Sequence, residues 1–339
     1  MKALVTGGGG FLGRRIVELL IADGHEVRFL ARGSYPEVEK LGATGMQIDL
    51  RDRERLPEAV EGIDTIFHVA AKAGVWGPRE EYLSINVDGT RNLLDAAESA
   101  GVARFIYTST PSVVSYESPI ENGPQTLPYA KSYKAFYPET KAEAERMVLQ
   151  SNSRHLATVA LRPHLIFGPG DPHLLPRFVE AALKGRLRII GDGTNKVDFT
   201  YVDNAAWAHI DAAKALTDHE AACAGKAYFI SNDEPVSLWG WFNHLLGTMD
   251  VPPIEKQLGH GTAKFLFGAI ETAHKLLPLG EPTVTAFLAD AMATAHWFDM
   301  QPAKDDLGYA VRVSMDEALQ PTADYLREHT VVPFRSGQS

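Results

Sequence analysis

The sequence predicts an α/β fold: a doubly wound parallel sheet with a smaller, mostly helical C-terminal lobe. Three observations lead there. Strand-like apolar runs alternate with helical stretches through the first half of the chain. The first run, Ala3-Leu4-Val5, turns through Thr6-Gly7-Gly8-Gly9-Gly10-Phe11-Leu12-Gly13 into a helical pattern. After Phe167-Gly168-Pro169-Gly170 the texture changes to shorter elements punctuated by Pro172, Pro176, Gly185, Gly191 and Gly193.

The elements follow in order. Phe11, Leu12, Ile16, Val17, Leu19 and Leu20 mark the first helix, which Asp23-Gly24 ends. Residues 26–30 read as the second strand, and Asp49 after Ile48 closes the third. Residues 65–70 read as a fully buried strand, 86–100 as a helix stopped by Gly101, and 105–108 as another short strand. A helix is expected over 137–150, then a strand over 156–161 ended by Arg162-Pro163. Residues 201–208 and 227–230 are expected to join or flank the main sheet. The stretch 237–329 reads as mostly helical, with turns at Pro252-Pro253, Pro278 and Gly280.

A strand that turns through glycines into a helix is a phosphate cradle of Rossmann type. Gly7 permits the tight turn, Gly10 lets backbone approach a pyrophosphate, and Gly13 lets the helix pack close to the strand. The amides and dipole at the helix start, around Phe11 and Leu12, favour the anion. An ordinary glycine-rich turn is the plainer alternative. Residues 1–170, with 195–232 returning to them, are therefore expected to form a dinucleotide-binding domain. Residues 171–194 and 233–335 would form a substrate lobe over the carboxyl edge of the sheet, where open α/β sheets hold ligands.

The composition is that of a soluble globular protein, and 339 residues allow an ample core. A net charge of -10 argues against broad nucleic-acid binding. Cys223 is the only cysteine, which excludes an intrachain disulfide and a cysteine metal cluster and fits a reducing cytoplasm. The first strand starts almost at Met1, leaving no room for a signal peptide. No apolar run reaches membrane-spanning length. The nearest, 265–279, is broken by Glu271, His274, Lys275 and Pro278. It reads as an amphipathic helix over a pocket or at a dimer seam, with peripheral membrane attachment as the alternative. No His/Asp/Glu spacing resembles a metal site.

At the end of the second strand a carboxylate would bind ribose hydroxyls and repel a 2′-phosphate. Here Ala31 holds that position, and Arg32 and Ser34 follow. A guanidinium beside a hydroxyl suits a phosphate, so NADP(H) is the expected cofactor, with NAD(H) left open. Asp49 and Leu50 would lie near the adenine, and Ala70, Ala71 and Lys72 along the cofactor. Tyr137-Pro138-Glu139-Thr140-Lys141 puts a phenol and an ammonium on one helical face. That cation and an oxidised nicotinamide together are expected to lower the phenol pKa towards neutrality, so that Tyr137 exchanges a proton with a carbonyl oxygen as hydride moves at carbon. Upstream, Tyr107-Thr108-Ser109-Thr110-Pro111-Ser112 offers hydroxyls to hydrogen-bond that oxygen, or merely to satisfy a strand end.

At these residues the chain resembles the extended short-chain dehydrogenases/reductases, in particular the 3β-hydroxysteroid dehydrogenase/isomerase group. The resemblance rests on Gly7/Gly10/Gly13, Asp49, Ala70-Ala71, Asn86, the hydroxyl cluster, Tyr137/Lys141, Leu161-Arg162-Pro163, Phe167-Gly168-Pro169 and Tyr201-Val202-Asp203-Asn204. It implies catalytic roles for Tyr137 and Lys141, with Lys141 also anchoring the nicotinamide ribose. It implies that Thr110 polarises the carbonyl, with Ser109 or Ser112 able to share that role. Pro163 would adjoin the cofactor, Asn86 would be a structural support, and a homodimer is expected by analogy.

Three readings of the function remain. The first is an NADP(H)-dependent reductase or dehydrogenase for a hydrophobic substrate. The motifs around Trp76, His164 and Tyr201 are similar to bacterial 2-alkyl-3-oxoalkanoate reductases and to sterol 4-carboxylate 3-dehydrogenases. Val75, Trp76, Ser112, His164 and His173 are then the candidate substrate contacts. Trp239, Trp241, Phe265, Leu266, Phe267, Leu276, Leu277 and Phe287 would roof a greasy pocket or form lobe core. The second reading is a nucleotide-sugar epimerase or dehydratase. His164 in place of Asn, no arginine just before Asp198, and no acid pair in Thr110-Pro111-Ser112 weigh against it. The third is a non-catalytic NADP(H) sensor, which an intact Tyr/Lys pair opposes.

Overall fold

Apolar strands buried on both faces require helices on both sides of the sheet. The computed structural model has that arrangement. It describes residues 1–330 apart from Val75, 115–117, His173, Pro278, Leu279, Glu281 and Thr283. Seven strands make one parallel sheet: β1 (Lys2–Thr6), β2 (Glu26–Ala31), β3 (Thr44–Gln47), β4 (Thr65–His68), β5 (Arg104–Thr108), β6 (Ala157–Pro163) and β7 (Ala227–Ile230). Their spatial order is β3-β2-β1-β4-β5-β6-β7. The direction of winding reverses between β1 and β4, which opens a crevice at the carboxyl edge. Register makes that edge level: Thr6 pairs with Leu30 and His68, His68 with Tyr107, and Thr108 with Leu161.

Helix α1 (Phe11–Ala22) leaves the glycine turn and buries Leu12, Gly13, Ile16, Val17, Leu19 and Leu20. Helix α2 (Gly89–Ala100) follows a π-helical turn at Leu83–Asp88 and ends at Gly101 in the left-handed region. Helix α3 (Phe136–Gln150) carries Tyr137 and Lys141. Helix α4 (Val202–Ala215) packs against α1, and Arg15 of α1 grips Asp203 of α4 with Nε–Oδ1 at 2.6 Å and Nη2–Oδ2 at 2.9 Å.

Residues 201–208 flank the main sheet rather than join it: only Thr200–Tyr201 pairs, with Ile166–Phe167, and α4 begins at Val202 and packs on β5 and β6. Ten residues of α4 are buried, polar Asn204, His209 and Asp211 among them, so no apolar stripe marks its helical period. The sixth strand runs on through Arg162 and Pro163, the latter opposite Ile230. Residues 227–230 do join the sheet, as its edge strand.

The C-terminal region contributes the helices Leu238–Thr248, His260–Leu276, Ala286–Ala293, Gln301–Leu307 and Met315–His329. Its core is aromatic. Phe178 stacks on Phe242 with centroids 3.6 Å apart, and Trp241 lies 4.3 Å from Phe199. Trp239 and Trp241 are buried in this cluster, whereas Phe265, Leu266, Leu276 and Leu277 are exposed. Among the described residues no helix is long and apolar enough to cross a membrane.

A Cβ on Gly13 would lie 2.2 Å from the Gly7 carbonyl oxygen and 2.7 Å from its carbon. No side-chain rotation relieves a backbone clash. Gly13→Ala should therefore lower stability by about 1–3 kcal/mol, the usual cost of overpacking. It should also distort the turn enough to weaken dinucleotide binding. Thermal unfolding and coenzyme titration of the variant check both effects.

Candidate active site

The glycine turn is tied to the start of the next crossover by one hydroxyl. Thr6 Oγ1, at the end of β1, accepts the amides of Val69 and Ala70 at 3.1 Å each and lies 2.7 Å from His68 Nδ1. His68 Nε2 lies 2.9 Å from Thr90 Oγ1, and Thr90 donates to the Asn86 carbonyl at 2.7 Å. Thr90 spends its proton on Asn86, so His68 must donate from Nε2 and accept the Thr6 proton at Nδ1. Burial pulls the pKa of His68 down to about 3, with Lys141 acting in the same sense, which keeps the ring neutral.

Gly7 has φ +70°, and its amide donates to the Leu30 carbonyl at 2.7 Å. A Cβ there would stand 3.1 Å from Ala70 backbone, so the turn and the half-buried Ala70-Ala71 segment are in close contact. Gly10 is exposed, and the nearest atom to a Cβ there is the Gly7 oxygen at 3.3 Å. The Leu12 side chain is sheet core, which leaves its backbone as the part available to a ligand. Phe11 packs on the lobe cluster and lies near Gly170, joining the turn to the loop after Ile166–Phe167.

At the end of β2, Ala31 is buried while Arg32 and Ser34 are exposed. The Asp49 carboxylate is held by Arg51, Nε–Oδ1 at 2.9 Å and Nη2–Oδ2 at 2.7 Å. That pairing, with Arg32 adding to it, holds the Asp49 pKa below its usual value. Leu50 is buried and accepts Asn92 Nδ2 on its carbonyl at 3.1 Å. Two residues near this end were missed from sequence. Tyr35 closes over the turn, because a Cβ on Gly9 would meet its ring at 2.4 Å. Arg51 brings a second guanidinium beside Asp49, and its position two residues after that acid was the available signal.

Lys72 binds Asn86 through its backbone, N to Oδ1 at 2.7 Å and Nδ2 to O at 3.1 Å, and its ammonium pairs with Glu81 at 2.9 Å. Asn86 Nδ2 also reaches Thr140 Oγ1 at 3.0 Å, so it clamps the loop after β4 to α3. The π-helical turn that carries it gives the side chain that reach.

Along α3 the structure brings the hydroxyls and the Tyr/Lys pair together. Thr110 caps a short turn at Pro111–Val113 and lies 3.0 Å from Ser112 Oγ. The Thr110 hydroxyl also acts on the Tyr137 phenol, in the direction that lowers its pKa. Thr108 Oγ1 is occupied by His209 Nε2 at 2.7 Å, and Ser109 Oγ is buried without a partner among the described residues. Lys141 is buried, donates from Nζ to the Thr108 carbonyl at 2.5 Å, and lies 4.1 Å from the centre of the Tyr107 ring.

The expected near-neutral phenol is not what the protein alone produces. Desolvation pushes the pKa of Tyr137 up to about 12, against the lowering effect of the Thr110 hydroxyl. Desolvation pulls Lys141 down to about 7, against the raising effect of Glu145. The ammonium itself donates to the Thr108 carbonyl and lies over the Tyr107 ring.

The substrate candidates divide. Trp76 is half-buried, accepts Tyr82 Oη on its carbonyl at 3.0 Å, and meets His274 edge-on with centroids 6.5 Å apart. His164 is buried, with Nε2 2.6 Å from His296 Nδ1, and His296 Nε2 donates to the Ala291 carbonyl at 2.8 Å. Val75 and His173 lie outside the described residues. Pro163 ends β6 at the same edge.

Comparison with known proteins agrees with this architecture. Residues 4–258 match the model of the 3-beta hydroxysteroid dehydrogenase/isomerase family. The 2-alkyl-3-oxoalkanoate reductase of Stenotrophomonas maltophilia is 47% identical over 323 residues, covering 94% of this chain and 98% of that protein. The sterol-4-alpha-carboxylate 3-dehydrogenase, decarboxylating, of Mus musculus is 35% identical, covering 95% of this chain and 90% of that one. Among solved structures, MoeE5 in complex with UDP-glucose and NAD is 25% identical, with a TM-score of 0.74 over 97% of this chain and 99% of that chain. Fold and relatives together define an NAD(P)-dependent oxidoreductase of the extended short-chain dehydrogenase/reductase type. The chain belongs to the 3-beta hydroxysteroid dehydrogenase/isomerase family.

The buried neutral His68 gives a pH prediction. On unfolding, its ring returns to a pKa of about 6.5 and takes up a proton below that value. Its contribution is therefore complete above about pH 6.5 and is lost as the pH falls towards the folded value of about 3. His68→Gln should remove this dependence. Between those limits the slope of unfolding free energy against pH should be shallower than in the parent by up to about 1.4 kcal/mol per pH unit. Urea unfolding across that range measures the difference.

Proposed function

We propose that this protein is an NADP(H)-dependent reductase that interconverts a ketone and a secondary alcohol at the β-carbon of a hydrophobic acid or sterol-like substrate. The observation that carries the reading is the cluster of Tyr137, Thr110 and buried Lys141 at the level carboxyl edge that also bears the glycine turn. The identity with a 2-alkyl-3-oxoalkanoate reductase, extending over nearly all of both chains, supports the substrate class.

The residues present fit a nicotinamide dinucleotide. The turn is built so that Gly7 and Gly13 admit no Cβ without displacing backbone, while Gly10 stays exposed at the start of α1. Gly7, Gly10, Phe11, Leu12 and Gly13 would hold the pyrophosphate through backbone and helix dipole. Arg32 and Ser34 would take the 2′-phosphate, since no carboxylate stands at Ala31 to repel it. Asp49 and Leu50 would border the adenine. Ala70, Ala71 and Lys72 would border the middle of the cofactor, and Pro163 and Lys141 the nicotinamide end. The chemistry such a group supplies when bound is reversible hydride transfer.

The chain's own contribution is proton handling. With a pKa near 12, Tyr137 keeps its proton in the reductive direction and gives it to the substrate oxygen as negative charge develops there. Thr110, whose hydroxyl acts on that phenol, donates to the same oxygen. Lys141 provides the positive charge that stabilises the phenolate left behind. Trp76, Ser112 and His164 would border the substrate, with the helical lobe covering it.

Tyr137→Phe should lower turnover about a hundredfold or more and leave NADPH binding nearly unchanged. NADPH oxidation is to be screened against long-chain 2-alkyl-3-keto acids, sterol ketones and nucleotide sugars. Turnover confined to the sugars, or undiminished in the variant, overturns the reading. Arg32→Ala should raise the dissociation constant for NADPH about tenfold or more while moving that for NADH by less than about twofold. Parent protein that binds NADH the more tightly removes the NADP(H) assignment.

A further inference from the structure

Lys141 is the only buried lysine among the described residues. An ammonium in that position costs free energy unless something opposes its desolvation. One turn along α3, on the same helical face, stands Glu145, which is fully buried. Its carboxylate is fixed from the opposite side. Arg162 of β6 binds it with Nη2–Oε1 at 2.6 Å and Nε–Oε2 at 3.0 Å, and Tyr129 Oη donates to Oε1 at 2.6 Å. Arg162 also lies over the Phe229 ring at 5.1 Å, and its Nη1 finds no partner among the described residues.

A buried ion pair is weak evidence for stability, because two apolar side chains of similar volume often serve as well. Its location is what distinguishes this one. We propose that Glu145 is a positioning residue for the active site: its buried carboxylate, held by Arg162 and Tyr129, keeps the Lys141 ammonium charged beneath the carboxyl edge. This rests on the reading of Tyr137 and Lys141 as the proton-handling pair.

Lys141 faces His68 of β4, neutral through burial, Tyr107 of β5, and Tyr137 and Glu145 of its own helix. Glu145 faces Arg162 of β6, Tyr107 of β5, and Tyr129 and Tyr133 of the segment before α3. Burial keeps the tyrosines of this group protonated, with pKa values above the ordinary one. Arg146 of α3 covers the Tyr129 ring at 4.1 Å. Glu145 is thus the one group in this set that supplies negative charge to Lys141, and it opposes the lowering of the lysine pKa imposed by burial.

The test is the pH dependence of NADPH binding, read by nicotinamide fluorescence without substrate, together with the pH profile of turnover. The alkaline limb, where Lys141 loses its proton, should move to lower pH by about one unit in Glu145→Gln. Glu145→Asp, which keeps the charge, should restore it. The double variant Glu145→Gln with Arg162→Gln removes the pair together, leaving neither of its members as an unpaired charge, so it provides a folded chain if the single variant fails to fold. A limb that stays in place in a folded neutral variant overturns the proposal. So does failure of both neutral variants to fold while Glu145→Asp folds, since the pair is then structural. Binding is read without turnover, so absence of ketone reduction would refute the functional reading and leave this test standing.

Discussion

The Lys141 ammonium donates to the Thr108 carbonyl at 2.5 Å and lies over the Tyr107 ring, with almost no solvent contact. That contact fixes the distance between the end of β5 and the first turns of α3. Thr110 continues from β5 and Tyr137 stands one turn before Lys141 on α3, so the same contact sets the hydroxyl beside the phenol. Asn86 braces the arrangement from a third direction by holding Thr140 and the Lys72 backbone. Each partner is a backbone group or a buried side chain, so β5, α3 and the loop after β4 are held together at the site.

Electrostatics then assign different work to the two titrating groups. Burial favours the neutral form of both, which lifts the phenol and depresses the ammonium. The phenol is thereby a dependable proton carrier. The ammonium is a marginal cation whose charge depends on neighbours. A site of this kind responds strongly to any added or removed charge, because little water is present to screen it.

Much of the fold was legible because the signals were local. The glycine spacing and the flanking apolar runs locate β1, α1 and the turn between them, and the i, i+4 spacing of Tyr137 and Lys141 locates α3. Legibility failed where burial erased periodicity. Helix α4, beside α1 on the sheet, buries polar Asn204, His209 and Asp211 along with its alanines, so no apolar stripe marks it, and 201–208 was expected only to join or flank the sheet. It failed again where partners are distant in sequence. His164 and His296 are 132 positions apart, and the Tyr35 ring meets Gly9 through the folding of the loop after β2. Spacing shows that Tyr137 and Lys141 share a helical face, not that burial lifts the phenol or which atoms the ammonium turns towards.

The sequence by itself determined the parallel α/β scaffold, the glycine turn between β1 and α1 and the shared helical face of Tyr137 and Lys141. These depend on residue type and on separations of a few residues, which the chain carries locally. Tertiary structure decided how those side chains are tuned. It buried Lys141, placed Glu145 and Arg162 behind it, engaged Asp49 with Arg51, and left Phe265 and Leu276 exposed rather than in the core. Desolvation and charge proximity are properties of three-dimensional packing, and no reading along one dimension contains them.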